Sequence, residues 1–258
     1  MELQNSHILP KWTYRRAFDD SRANGLPNPV VVEGDTAIQT SRENKEPMLC
    51  RDCEQRLSPD ENYVSRIAYQ DDGSLGLTRM MTSTPMLKLQ LPDGRGHFRA
   101  AKIESLDGPA IARFAASVFW RAHVATRQKV DSLKLWNPQA EALRLFIRGE
   151  APLPPRSCFS LVVTVDGEQL TSVHSTTSSV PASGRRGHDG FHQFIAAGLL
   201  FNLSLGNVAL PEICLVCSPV PHVIFQDWRQ IRLATEMTAM FLTAERKGHL
   251  GRVAVKPV

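Results

Sequence analysis

The chain predicts an α+β protein: an N-terminal zinc-knuckle module, then helices, then a β-rich C-terminal half. Three observations carry this. Cys50-Arg51-Asp52-Cys53 is a two-thiol knuckle that runs straight into a helical pattern. Apolar residues recur at helical spacing over 109–129 and again from Asn137 to Gly149. From Cys158 onward, short runs with β character replace that spacing.

Composition sets the outer limits. With 258 residues, 42% hydrophobic and 22% charged, the chain has enough apolar content to bury a core and lies far from the disordered regime. A net charge of +4 and a pI near 8.9 are compatible with a polyanionic partner without forming a dense basic patch. There is no N-terminal apolar signal core and no run of eighteen or more apolar residues, so the expected setting is cytoplasmic with no membrane partner.

The elements follow in order. Over residues 1–70, the expected zinc-knuckle module, Pro10 opens a short helix from Lys11 to Arg22, carrying Trp12, Tyr14, Ala17 and Phe18. Val30–Val32 and Thr36–Gln39 form a small hairpin, and Thr40–Glu46 a polar loop. Ser58, Pro59 and Glu61 read as an N-cap, a first helical position and a capping box, which predicts a helix over 59–70. Over 71–150, Met86–Leu91 alternates and pairs with 97–103 across Pro92–Gly96. Asp107 then caps a helix from Pro109 to Lys129, and Asn137-Pro138 starts another. Over 151–258, Pro152, Pro154 and Pro155 stiffen a linker. Cys158–Val165 is expected to turn at Asp166-Gly167 and pair with Gln169–His174. Thr176–Gly190 is a Ser- and Gly-rich loop. Phe191–Leu205 and Glu212–Cys217 supply further strands, and Asp227–Arg246 a closing helix.

Five cysteines include two Cys-x-x-Cys pairs, Cys50/Cys53 and Cys214/Cys217, a spacing that favours metal or redox chemistry over structural disulfides in a chain of intracellular character. A knuckle turn can bring both sulfurs within about 2.3 Å of one Zn²⁺. Structural zinc normally takes four protein ligands. The missing donors would come from His7 or from Cys214 and Cys217, with His222 as a further option. Against a shared site, Cys214–Cys217 in an extended strand would send its sulfurs to opposite faces. Cys158 reads as a small core residue. A redox role for Cys50/Cys53 lacks a surrounding βαβ pattern. His123, His174, His188 and His192 have no convergent spacing, and there is no phosphate-binding glycine loop or Gly-x-Ser-x-Gly elbow. Arg15, Arg16, Arg113, Arg121, Arg185 and Arg186 are candidate phosphate contacts or ion-pair partners.

Ser6-His7-Ile8-Leu9-Pro10 followed by Leu49-Cys50-x-x-Cys53 and a helix resembles the second half of HNH-type zinc proteins, with a treble-clef-like knuckle. It also resembles an uncharacterised bacterial group that has a Ser-His-Ile-Ile-Pro-Lys segment, a Leu-Cys-x-x-Cys-Glu knuckle and a downstream Glu. That group also has a helix with Arg-Phe-x-x-Ser-x-x-Trp-Arg, here Arg113 to Arg121. The resemblance covers residues 3–70 and 107–123. It implies His7 as general base, Glu54 as an oxygen ligand for a catalytic Mg²⁺ or Mn²⁺, Zn²⁺ on the cysteines, and nucleic acid as partner in a bacterial or phage conflict system. The chain departs from the pattern at Ser6, where a metal-binding Asp is usual, and at Glu54, where a ligand His is usual. It also lacks a Cys-x-x-Cys within Met1–Asn5. These departures point to a degenerate site. The alternative is a non-catalytic, zinc-stapled scaffold with a protein partner.

Overall fold

The computed structural model describes residues 2–23, 28–33, 36–41, 43–68, 70, 75–81, 84–90, 97–126, 133–166, 182–183, 191–205 and 213–246. The fold is mixed α+β. Its first segment comprises β1 (Gln4–His7), α1 (Lys11–Ala23), the hairpin strands β2 (Val30–Glu33) and β3 (Thr36–Gln39), β4 (Lys45–Leu49) and α2 (Arg51–Ala68). Then come α3 (Gly76–Met80), β5 (Met86–Gln90), β6 (His97–Lys102), α4 (Gly108–Val124) and α5 (Asn137–Ile147). The rest comprises β7 (Ser157–Val165), β8 (Ala182–Ser183), β9 (Phe191–Ala196), β10 (Leu199–Leu205), β11 (His222–Asp227), a 3-10 turn over Trp228–Gln230, and α6 (Arg232–Arg246).

β1 and β4 pair antiparallel, with an irregularity between Gln4 and Asn5 where the strand faces Pro47, a residue with no N–H to give a ladder. The main sheet has seven strands in the order β5-β6-β11-β7-β10-β9-β8. Only the β11–β7 pairing is parallel. The β-rich half therefore recruits β5 and β6 from the middle of the chain.

Alternation along the strands divides the core. Phe159, Leu161, Val163, Phe194, Phe201, Leu203, Val223 and Phe225 share one apolar cluster with α2, α4 and α5. The opposite parity, Val162, Ile195, Leu200 and Ile224, forms a smaller cluster with Ala234 of α6. The sheet is thus sandwiched between helices, as two apolar faces require. α4 is buried nearly all round, and Phe114 lies 5.2 Å from Phe201 while Phe119 lies 5.1 Å from Phe194. Asp107 accepts from the Ala110 amide at 2.9 Å and starts the helix as its cap.

Several expectations change. α2 begins at Arg51, not Pro59, because the apolar stripe Leu57, Val64, Ile67 and Ala68 packs continuously and Pro59 sits exposed within the helix. Ser58 accepts from Asn62 at 3.4 Å, and Glu61 reaches across to α4, so no capping box forms. The expected loop at 40–46 ends early in β4. α4 stops at Val124. β7 finds its ladder partners in β10 and β11, while 169–174 and 176–181 lie outside the described residues. Phe191–Leu205 is two strands folded about Ala197 (φ 47°) and Gly198 (φ 82°), the positive pair that a two-residue hairpin turn demands. Of the strand expected over Glu212–Cys217, the described residues 213–217 are no strand, and Leu215–Cys217 forms a turn.

Candidate metal centre and its surroundings

Cys50 is the residue between β4 and α2, and its carbonyl accepts the first helical bond, from Glu54 N–H at 3.0 Å. Its sulfur accepts from the Cys53 and Asp52 amides and from the Cys53 thiol, which hold the Cys50 thiol below its ordinary range. Burial and the neighbouring Cys50 charge push the Cys53 thiol up. The two thiols are therefore close enough to interact, with Cys50 the more acidic of the two. Two clefts meet at Cys50. One, of about 560 Å³, is lined by Glu2, Gln4, Arg51 and Asp52. The other, of about 190 Å³, runs over Leu3, Met48, Leu57, Trp120 and Ile147 and takes in Arg56, Arg144 and Arg148.

His7, at the end of β1, is half-buried and bonds Glu43 Oε2 through Nε2 at 2.8 Å. That bond is the leading reason the Glu43 carboxyl lies below its usual value. The His7 ring leans on Tyr14 at 5.5 Å, whose hydroxyl accepts from the Asn44 amide and is pushed up to about 12 chiefly by burial. Ser6 accepts from the Leu49 amide at 3.2 Å and so fastens β1 to β4. Behind the strand, Arg121 donates to the His7 carbonyl at 2.9 Å and to Glu61 Oε1 at 2.8 Å. Arg113 grips Asp60 with two bonds of 2.9 and 2.8 Å, and this bidentate pair keeps the guanidinium above its ordinary range. Of the polar residues that the motifs single out, Ser6, His7, Glu61, Arg113, Ser117 and Arg121 each have an internal partner. Glu54 is the exception: its Oε1 is buried with no hydrogen-bond partner.

Cys214 and Cys217 occupy a different place. The Leu215 amide donates to the Phe159 carbonyl at 2.8 Å, and Ser218 N–H to the Cys214 carbonyl at 3.3 Å, so the loop wraps into a turn at the start of β7. The two sulfurs lie 2.7 Å apart. Cys158, on the β7 face opposite Phe159, hydrogen-bonds Cys214 as well. Cys158 is buried, as a small core residue should be, and its position in β7 turns it toward the loop.

Among the described residues, no group of three or more His, Cys, Asp or Glu side chains is arranged to hold a metal ion. His7, Cys50, Cys53, Cys214 and Cys217 thus do not form one ligand set, and His222 lies in β11 beside β6. Cys50 and Cys53 would supply two sulfur donors to a Zn²⁺, half of a structural set, and the described residues do not complete it. No metal-dependent step is derived from this geometry. No family model, curated protein or solved structure matches the chain.

The sequence marks Arg121 as a candidate ion-pair partner, which it is, but does not point to Glu61 as the residue it pairs with. Glu43 and Tyr14, the partners of His7, carried no signal: one sits in a polar run and the other on a helix of ordinary pattern. Alternation in 158–165 could have placed Cys158 opposite Phe159.

Proposed function

We propose that the chain is a zinc-binding, degenerate HNH-like protein that binds nucleic acid through the surface around Cys50 and Cys53 and leaves it uncut. The observation that carries this is the run of β1, β4 and α2: two antiparallel strands and a helix, with His7 at the end of the first strand and the thiol pair at the helix start. Arg51, Arg56, Arg144 and Arg148 line the clefts beside that pair and suit a phosphate backbone. Binding without cleavage follows from Ser6 holding a backbone amide and from the incomplete ligand set. The test is fluorescence anisotropy with labelled single-stranded DNA, duplex DNA and RNA across a salt series, alongside plasmid and RNA cleavage in Mg²⁺ and Mn²⁺. Salt-dependent binding is expected, with Arg56→Ala and Arg148→Ala each lowering the log–log salt slope by about one. Salt-independent or absent binding overturns the proposal, and cleavage lost in His7→Ala overturns its uncut clause.

A non-catalytic scaffold is the second reading, favoured by the internal hydrogen bonds of Ser6, His7 and Arg121. It predicts a protein partner and no nucleic-acid affinity, with loss of metal lowering thermal stability.

A further inference from the structure

A site independent of the nucleic-acid proposal lies at the start of β7, where three sulfurs from distant parts of the chain meet. Cys214 and Cys217 are brought to 2.7 Å by the turn over 215–217, and Cys158 reaches Cys214 from the strand beneath. Cys214 is fully buried and Cys217 is exposed, so one sulfur of the pair meets solvent and the other is shielded. A turn of two intervening residues also closes a small disulfide ring without moving either backbone far. We propose that Cys214 and Cys217 form a dithiol–disulfide exchange site whose substrate is a low-molecular-weight disulfide, with Cys217 as the entering nucleophile, Cys214 as the resolving one and Cys158 as a positioning residue.

The chemistry balances. The Cys217 thiol gives up its proton to solvent, and its thiolate, on the exposed side of the pair, attacks one sulfur of R–S–S–R. The small disulfide bond breaks, a Cys217–S–S–R bond forms, and the departing RS⁻ takes up a proton from solvent as RSH. The Cys214 thiolate then attacks the Cys217 sulfur, forming the Cys214–Cys217 bond and expelling the second RS⁻. Two electrons pass from the protein dithiol to the small disulfide. Partners for the buried charge are in place: the Cys158 thiol above all, then the Cys217 thiol and the Val216 and Cys217 amides, bring Cys214 down to about 5. The same three sulfurs are not arranged as a metal-holding group.

The experiment treats the reduced full-length chain with oxidised glutathione and maps thiols and disulfides by peptide mass spectrometry. A Cys214–Cys217 link is expected in the unaltered chain, with Cys158 still a free thiol. Cys214→Ser should accumulate a glutathione adduct on Cys217, whereas Cys217→Ser should leave Cys214 unmodified. In Cys158→Ala, the pH midpoint for alkylation of the pair should rise. The site is overturned if Cys214 and Cys217 stay free in the unaltered chain, if the adduct on Cys217 persists there without resolving, or if a metal bound to these sulfurs blocks the exchange. Because the main readout uses the unaltered chain, a variant that fails to fold does not remove the test. Nucleic-acid affinity plays no part in it, so the two proposals fail separately.

Discussion

Arg121 Nη2 donates to Glu61 Oε1 at 2.8 Å while Nη1 of the same guanidinium holds the carbonyl of His7 at 2.9 Å, so one side chain of α4 ties both α2 and β1. The guanidinium is 2% exposed, and Glu61 remains partly open to solvent. Arg121→Met should therefore cost about 3 kcal/mol, by leaving a carboxylate and a carbonyl unmatched near the core. Glu61→Gln, which keeps an acceptor, should cost clearly less. Urea unfolding of the two variants checks the ranking; an Arg121→Met chain as stable as the parent would dismiss this tie.

The His7 bond holds the Glu43 carboxyl below its ordinary 4.5. A carboxylate depressed in the fold adds stability that is complete above its unfolded value and is lost as pH falls through the folded one. Stability should drop as pH falls below 4.5, and Glu43→Gln should flatten that limb. Glu141, lowered by Arg144, keeps part of the slope in the variant. Thermal melts between pH 5 and 3, at steps of roughly half a unit, provide the comparison.

His192 is buried beside Phe119, and burial lowers its imidazole from 6.5 to about 4. The neutral ring is what the fold accepts. Its contribution is complete above 6.5 and disappears as pH falls toward 4, a loss of about 3 kcal/mol at most. His192→Gln should lessen the decline across that window. His123, lowered in the same direction by burial, retains a share.

Gly108 begins α4 where the thiol loop crosses it. A Cβ at this position would meet the Leu215 carbonyl oxygen at 2.1 Å, and backbone cannot step aside cheaply. Gly108→Ala should cost about 1–3 kcal/mol and should slow formation of the Cys214–Cys217 link by shifting the loop. A variant with unchanged melting temperature and unchanged exchange rate would show that the loop gives way freely.

Because the two Cys-x-x-Cys pairs are not one group, their metal responses should separate. Elemental analysis of purified chains should find that Cys50→Ser loses zinc, with a lower melting temperature, while Cys214→Ser retains it. Equal loss in both variants would restore a shared site.

Much of the fold was legible where local chemistry and packing agree. Asp107 capping α4, Pro10 ahead of α1 and the alternation of β5 each predicted an element that forms. Ser58-Pro59 misled because a proline at an exposed position can be carried inside a helix whose other face packs without a break. Cys214–Cys217 misled because an apolar run containing Val216 reads as strand, whereas the bonds from Leu215 to Phe159 and from Ser218 to Cys214 hold it as a turn. Of the candidate site, the nearness of Cys50 and Cys53 was visible in their spacing, and both sit at the start of α2. The bonds from His7 to Glu43 and from Arg121 to His7 join residues 36 and 114 positions apart, and no local pattern reports such distances.

β11, one of the interior strands of the main sheet, is also the latest in the chain of the seven described. It joins β6 on one side to β7 on the other, so a nascent polypeptide emerging from the ribosome holds two unfinished fragments, β5–β6 and β7 with its hairpin neighbours, each with a bare edge. Assembly must wait for residues 222–227, and until then the flank of α4 that these strands will cover stays wet. Chains released early would be prone to stick to one another, and synthesis at low temperature or with a holding chaperone should raise the yield.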